Sequence, residues 1–189
     1  MNKKEKLEML SYFVGELGLS YKEVAEYLLA EDLSAKATMP QTILPGMYVY
    51  ADGLIYPEII EGRQVMAIVG SVDGSDVLAV CLQEACLPWF SDWQGAEAAQ
   101  WCYDYAEDGV KQGEAFLPSL TELEKLFANK AAINASLKAL GVALLEGWYW
   151  SSTEYDNNYA WIFGMTNGAR NDGSKLYYVY VRSVLALKL

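Results

Sequence analysis

Apolar residues recur at helical spacing in the first part of the chain. Leu7 and Leu10 begin a row of leucine, phenylalanine and valine side chains at steps of three and four, as on one face of a helix. Ser20 lies three residues before Glu23, the spacing of a capping box, which predicts the start of a second helix. Residues 1–36 are therefore predicted to form a helical hairpin that docks on a partner or on another copy of the chain.

Short strand patterns and helical patterns follow along the rest of the chain. The predicted strands near its start cover residues 47–50, 54–56, 64–69 and 76–82, with Asp-Gly turns between the paired ones. The predicted helices cover 96–108, a segment capped by Ser119, and 131–140. Tyr159, Trp161 and Phe163 alternate with smaller residues, as in a half-buried strand, and Asp172-Gly173 predicts a turn. Because strands and helices do not alternate regularly, the predicted class is α+β, with a second domain over 45–189.

Composition removes several classes of function. The chain has 189 residues, no histidine and a formal net charge of −11. Without histidine there is no Ser-His-Asp or Cys-His catalysis and no imidazole metal site, and the negative charge opposes binding to nucleic acids or anionic membranes. Its three cysteines are an odd set, which favours reduced thiols.

The sequence predicts neither a membrane-spanning helix nor a signal peptide. No apolar run reaches the ~20 residues of a membrane helix, and the apolar segment of a signal peptide is missing. The expectation is a chain that is cytoplasmic as synthesised and is not inserted in a membrane, with a phage particle or the cell surface as alternative destinations.

Aromatic and amide side chains concentrate near the C-terminus. Glu154, Asp156 and Asn157 supply oxygen atoms of the kind that Ca²⁺ prefers, although their spacing does not match a calcium-binding loop and a solvated loop is favoured. Tyrosine and small polar residues are also what recognition loops use, since tyrosine gives a large contact area at low entropic cost. Surface recognition and ordinary packing are equally good interpretations of these residues.

Four segments carry a resemblance to known domains. They are Ala-Ala-Gln-Trp-Cys at 98–102, Phe-Leu-Pro-Ser-Leu-Thr-Glu-Leu-Glu at 116–124, Trp-Ser-Ser-Thr-Glu at 150–154 and Val-Arg-Ser-Val at 181–184. The first two resemble formylglycine-generating-enzyme-like domains. The last two are similar to a bacterial group, abundant in gut bacteria and their phages, that includes adhesin-like domains and variable proteins of diversity-generating retroelements. The resemblance implies a C-type-lectin-like fold with short antiparallel strands and two main helices.

The resemblance also implies a ligand-binding scaffold with exchangeable residues on its last strands and loops. In retroelement variable proteins, mutagenesis directed at adenines yields Asn, Tyr, Asp and Ser at the displayed positions. The matching positions here are the predicted ligand-binding residues. They are Tyr155, Asp156, Asn157, Asn158, Tyr159, Ile162, Gly164, Ala169, Asn171, Asp172, Ser174, Tyr177 and Tyr178.

Departures from the related families narrow the prediction. No cysteine follows Cys102, although formylglycine-generating enzymes use a cysteine pair near the C-terminus, and the calcium–sugar motifs of C-type lectins are absent. The chain is therefore predicted to be a non-enzymatic, receptor-like or adhesin-like protein without a cofactor, binding a protein or a glycan. The alternatives are a metal-dependent or enzymatic module around Glu154 and Asp156, and a structural component of a phage particle or pilus.

Overall fold

The structure is a computed structural model that describes residues 42–90 and 96–189. The hairpin predicted for residues 1–36 lies outside the described residues, as does segment 91–95. In the described part the strands are β1 Tyr48–Tyr50, β2 Ile55–Tyr56, β3 Val65–Asp73, β4 Asp76–Leu87, β5 Ala115–Phe116, β6 Trp148–Glu154, β7 Tyr159–Gly164, β8 Arg170–Ser174 and β9 Val179–Lys188. The helices are α1 Glu97–Asp104, α2 Leu120–Ala128 and α3 Lys130–Leu140.

One nine-stranded sheet dominates the architecture and confirms the α+β class. Its strand order is β2-β1-β3-β4-β9-β6-β7-β8, with β5 paired to β9 off this path. The last strand fills the place between β4 and β6, running antiparallel to β4 and parallel to β6, where Tyr149 is the partner of Tyr180. The expectation of antiparallel strands is therefore wrong for this pair. The described part has the three helices that the sequence patterns predict, one more than the two main helices that the resemblance implies.

The two N-terminal hairpins form as the turn signals predict, but the second one has longer strands. Tyr48 pairs with Tyr56 in the first hairpin, and Asp73 pairs with Asp76 in the second. The strand predicted to end at residue 82 continues to Leu87, although its later residues are less apolar. It continues because β9 supplies partners there, as in the pairing of Leu87 with Val179.

Helix α1 is shorter than the prediction of 96–108, which is wrong for the last turn. Tyr105 leaves the helix with a φ of −59° and a ψ of 114°. Its ring is buried and its hydroxyl donates a hydrogen bond to Oδ2 of Asp108 at 3.1 Å. Burial of this ring against the sheet therefore outweighs continuation of the helix, a preference that local periodicity does not report.

The capped helix α2 brings together two of the segments that carry the resemblance. Ser119 and Glu122 form the predicted capping box, in which the Ser119 N–H donates to Glu122 Oε2 at 2.7 Å. Thr153 of β6 adds a second acceptor, since its Oγ1 receives the N–H of Leu120 at 3.1 Å. The N–H of Ser152 donates to the carbonyl of Pro118 at 2.8 Å. Segments 116–124 and 150–154 therefore fix each other's position in the fold.

Side chains from both faces of the sheet are buried. On one face Leu126 of α2 and Leu137 of α3 pack with Tyr149 and other sheet residues. On the other face Cys102 of α1 packs with Trp150 of β6. Burial raises the pKa of the Cys102 thiol to about 12, so it stays protonated near neutral pH. Among the described residues, no helix is long and apolar enough to cross a membrane.

Candidate functional site

The open end of the β7–β8 hairpin gathers most of the predicted ligand-binding residues. Tyr159 at the start of β7 pairs with Ser174 at the end of β8, and the Lys175 N–H donates to the Asn158 carbonyl at 2.9 Å. The predicted residues in or beside this end are Tyr155, Asp156, Asn157, Asn158, Tyr159, Asp172, Ser174, Tyr177 and Tyr178. We call residues 154–159 and 172–178 the tyrosine edge.

The remaining predicted residues, Ile162, Gly164, Ala169 and Asn171, lie away from the tyrosine edge. Gly164 and Ala169 meet at the closed end of the hairpin, where the Gly164 N–H donates to the Ala169 carbonyl at 2.8 Å. That end is about 17 Å from Tyr159 at the rise of an extended strand. Ile162 and Asn171 are partners in the register, and the alternation of a strand places them on the face opposite Tyr159.

The loop between β6 and β7 is closed by its own carboxylate. Oδ1 of Asp156 accepts the N–H groups of Asn158 at 2.7 Å and of Tyr159 at 2.8 Å. The Tyr155 N–H donates to the Tyr159 carbonyl at 3.0 Å. The Asp156 side chain therefore fixes the shape of the loop by accepting hydrogen bonds from the backbone two and three residues later.

Metal-ligand geometry is not found in the described part of the chain. Within residues 42–90 and 96–189, no group of three or more cysteine, aspartate or glutamate side chains is placed to hold an ion. Glu154, one of the oxygen donors considered for calcium, is instead paired with Lys175.

Lys175 organises the tyrosine edge, and the sequence analysis did not single it out. This residue is only 4% exposed. Its Nζ donates to Oε2 of Glu154 at 2.6 Å and to the carbonyl of Asn157 at 3.3 Å. The ammonium also lies 4.6 Å from the centroid of the Trp89 ring, within the range of a cation–π contact.

The backbone of Lys175 holds a third segment. Its carbonyl accepts the N–H groups of Trp89 at 2.9 Å and of Phe90 at 3.2 Å. The Trp89 indole donates to the carbonyl of Ser151 at 2.8 Å, which ties the same segment to β6. One residue thus connects the segment after β4, the β6–β7 loop and the turn after β8, so the edge is held in a defined shape.

Tyr155 and Trp161 form an aromatic pair on one face of the edge. Their ring centroids are 5.1 Å apart and the ring planes meet at 81°. Phe163, two residues later on the same strand, is buried, whereas Trp161 is half-buried. Between Phe163 and Trp161, strand β7 passes from the part of the sheet that the helices cover to its rim. Trp161 therefore remains partly accessible beside Asp172, its partner in β8.

Large apolar surfaces are displayed in the turn after β8. Tyr177 is 65% exposed and Tyr178 is 72% exposed. Leu176, which sequence reasoning missed, is 60% exposed beside them. An exposed run of three large side chains next to a fixed turn is typical of an interaction surface rather than of packing residues.

A Lys175→Met variant is expected to lower the free energy of unfolding by about 1–2 kcal/mol. Methionine retains an apolar stem against Trp89 but loses both hydrogen bonds, while Glu154, which is largely solvated, regains water. Amide hydrogen exchange at residue 175 should accelerate about tenfold, because the loop opens locally more often.

The matched control for this change is Lys188→Met. Lys188 is also paired with a carboxylate, that of Asp76, but it is exposed, so the expected loss is below about 0.5 kcal/mol. Chemical denaturation of both variants tests the difference. Equal stabilities would show that the Lys175 contacts do not hold the edge together.

Comparison with known proteins finds likeness in structure only. No protein-family model matches the sequence, and no curated protein matches it. The structure is similar to the crystal structure of a fimbrial protein from Bacteroides ovatus ATCC 8483, with a TM-score of 0.61 and 16% sequence identity. The alignment covers 77% of this chain and 49% of the fimbrial protein, so the chain spans about half of that protein's length. At this identity the likeness shows a shared fold.

Proposed function

We propose that the protein is a non-enzymatic binding protein of the adhesin type that recognises its ligand with the tyrosine edge. In this proposal the sheet and its helices form a C-type-lectin-like domain, as the resemblance of segments 98–102, 116–124, 150–154 and 181–184 implies. The ligand is a protein or a glycan, and the protein works at a cell surface or on a pilus.

The observation that carries the proposal is the combination of exposed tyrosines with a fixed backbone. Tyr155, Tyr177 and Tyr178 each expose more than half of their surface, while the loops that bear them are tied to Lys175. A rigid aromatic side chain loses little entropy on binding, and a preorganised loop loses little more. Such a surface suits recognition of a partner better than catalysis.

The titratable groups whose pKa values are strongly raised lie in the core of the domain. Burial raises the pKa values of Cys81, Cys102, Tyr105 and Tyr149, and all four side chains lie in the core. Catalytic groups with shifted pKa values are instead found in accessible clefts. These residues therefore support the scaffold rather than a reaction.

A second candidate is a structural subunit of a pilus, which the likeness to a fimbrial protein favours. In that role the chain contacts other copies of itself, and the tyrosine edge is one of its assembly surfaces. Sedimentation of the purified full chain separates the two candidates. An adhesin does not polymerise and leaves its tyrosine edge free, whereas a pilus subunit forms polymers whose size depends on concentration.

Retroelement diversification is a further part of the proposal that concerns the same surface. Its targets would be the thirteen predicted ligand-binding residues, which are Tyr155, Asp156, Asn157, Asn158, Tyr159, Ile162, Gly164, Ala169, Asn171, Asp172, Ser174, Tyr177 and Tyr178. A neighbouring reverse-transcriptase gene and an imperfect repeat of the DNA encoding residues 155–180 would support it. A neighbourhood with neither would remove diversification but leave ligand binding in place.

Replacing Tyr155, Tyr177 and Tyr178 together with alanine is expected to weaken ligand capture by about 100-fold, because exposed aromatic residues at the centre of an interface carry much of its binding energy. The full chain is screened on glycan arrays and on intact bacterial and mammalian cells, and the triple variant is then titrated against whatever is captured. Thermal unfolding should change little, since all three residues are exposed.

The control is Tyr103→Ala. Tyr103 is as exposed as Tyr155, at 54%, but lies on α1 beside Gly113. It should capture the same ligand with unchanged affinity. A triple variant that binds as tightly as the native chain would place recognition elsewhere on the molecule.

A further inference from the structure

We infer that the tyrosine edge binds a cationic side chain, arginine or lysine, presented by a partner protein. The proposed binding site is the corner between the nearly perpendicular rings of Tyr155 and Trp161, together with the carboxylate of Asp172. This inference rests on the proposed function and specifies its ligand class, because a neutral glycan offers no charge for such a corner.

The ring geometry suits a cation. Tyr155 and Trp161 meet almost perpendicularly, at 81° with 5.1 Å between centroids, so the two rings form adjacent walls. Both faces of an aromatic ring carry negative potential, and a guanidinium or ammonium within about 6 Å of a centroid is attracted to it. Tyr159 lies two residues before Trp161 on β7, which places it on the same face of the sheet.

Asp172 adds a negative charge beside these walls. It is the register partner of Trp161, and directly opposed residues of two strands project from the same face. Its side chain is exposed. An incoming cation can therefore contact an aromatic face and a carboxylate at once, which an aromatic pair alone does not provide.

Nearby cations of the protein itself are already engaged. Lys175 is buried against Glu154 and Trp89. Arg170, two residues before Asp172 on β8, is paired with Glu124 of α2. In the described part of the chain neither Asp156 nor Asp172 has an ion-pair partner, so the edge has uncompensated negative charge.

Charge complementarity therefore selects the partner. The uncompensated carboxylates of the edge belong to a chain with a net charge of −11, so a basic segment is attracted and an acidic one is repelled. A second copy of the chain carries the same charge and does not meet this requirement. A protein segment with exposed arginine or lysine does.

The test uses fluorescence anisotropy of the full chain with a fluorescein-labelled peptide of alternating glycine and arginine containing six arginines. The comparison peptide has citrulline in place of arginine, which retains shape and hydrogen bonding but lacks the charge. The native chain should bind the arginine peptide at least about tenfold more tightly than the citrulline peptide, and added NaCl should weaken that binding.

Two variants locate the site on the edge. Tyr155→Leu with Asp172→Asn should weaken binding of the arginine peptide about tenfold. Asp172→Asn alone preserves the volume of an exposed residue and should weaken it about threefold with unchanged thermal unfolding. The matched control, Tyr103→Leu with Glu58→Gln, removes one tyrosine and one carboxylate outside the edge and should change binding less than about twofold.

Equal losses in the edge variant and the matched control, or equal binding of both peptides by the native chain, would overturn the inference. The proposed function is judged separately by the triple tyrosine variant. If glycans or cells are captured through the edge and the arginine peptide is not, the cationic ligand is wrong while the binding role stands. If nothing is captured through the edge, both are wrong.

Discussion

An Arg182→Met variant is expected to lose about 3–5 kcal/mol of its free energy of unfolding, because a buried ionic network loses its cation. The Arg182 side chain is almost fully buried in β9. Its Nη1 donates to the carbonyl of Ala143 at 2.9 Å, and its Nη2 donates to the carbonyl of Leu82 at 2.8 Å. Methionine has similar length but leaves both carbonyls without this donor.

The carboxylate beside the guanidinium would also lose its countercharge. Glu84 lies 3.7 Å from Nη2 of Arg182 and accepts the Tyr149 hydroxyl at 2.7 Å. Burial, followed by this hydrogen bond to Glu84, raises the pKa of Tyr149, so the phenol stays protonated and remains a donor. The network connects the segment after α3 to the sheet, and its loss should loosen residues 143–147 first.

Urea denaturation checks this prediction, with Arg170→Met as the matched control. Arg170 is also ion-paired, with Glu124, but more than half of its side chain is exposed, so the expected loss is about 0–1 kcal/mol. A small domain is stable by only about 5–15 kcal/mol, so the Arg182 variant should lose a large fraction of its total stability. Similar midpoints for the two variants would contradict a structural role of the buried network.

Local signals in the sequence predict most elements of this fold, because they depend on neighbouring residues. Ser119 and Glu122 form the predicted cap, and the left-handed conformation of Gly141 ends α3 where expected. The pairing of β6 with β9 depends on residues far apart in the chain, Tyr149 and Tyr180. The spacing of residues along the sequence does not predict that these two strands are neighbours or that they run parallel.

The candidate site could likewise be predicted only in part, because local signals indicate its surface but not its contacts between distant residues. Tyrosine and asparagine in turns indicate a surface, and the exposed ring of Tyr178 agrees with it. A lysine in a polar turn ordinarily points to solvent, so nothing in the sequence distinguishes Lys175. Its burial depends on Trp89 and Glu154, which come from other segments of the chain. Exposure at the edge could be predicted from composition, whereas the contacts that fix it could not.

Gly173 allows close packing in the structure instead of forming the turn that the sequence predicts. The Asp172-Gly173 pair was predicted as a turn, and this is wrong because both residues lie within β8. A Cβ atom on Gly173 would lie 3.0 Å from Cη2 of Trp150 and 3.2 Å from its Cζ3. Glycine is therefore required for close packing of β8 on the indole, rather than for a reversal of the chain.

Replacing Trp150 with alanine is expected to lower the free energy of unfolding by about 3–5 kcal/mol, as is typical when a large buried aromatic side chain is removed. Trp150 is 0% exposed, and its Nε1 donates to the carbonyl of Leu87 at 3.0 Å. Its ring lies in one cluster with Val181 of β9 and packs against Gly173 of β8. Alanine would leave a cavity and an unpaired carbonyl together.

Trp148→Ala is the matched control, since Trp148 lies two residues earlier on the same strand and the same face but is 36% exposed. Its removal should cost less than about 2 kcal/mol. In addition, because β8 rests on Trp150 through Gly173, the Trp150 variant should show faster amide exchange in residues 170–175 than in α2 under conditions where it remains folded. Uniform acceleration across both would mean that the indole stabilises the domain as a whole and does not specifically support the strand that leads into the tyrosine edge.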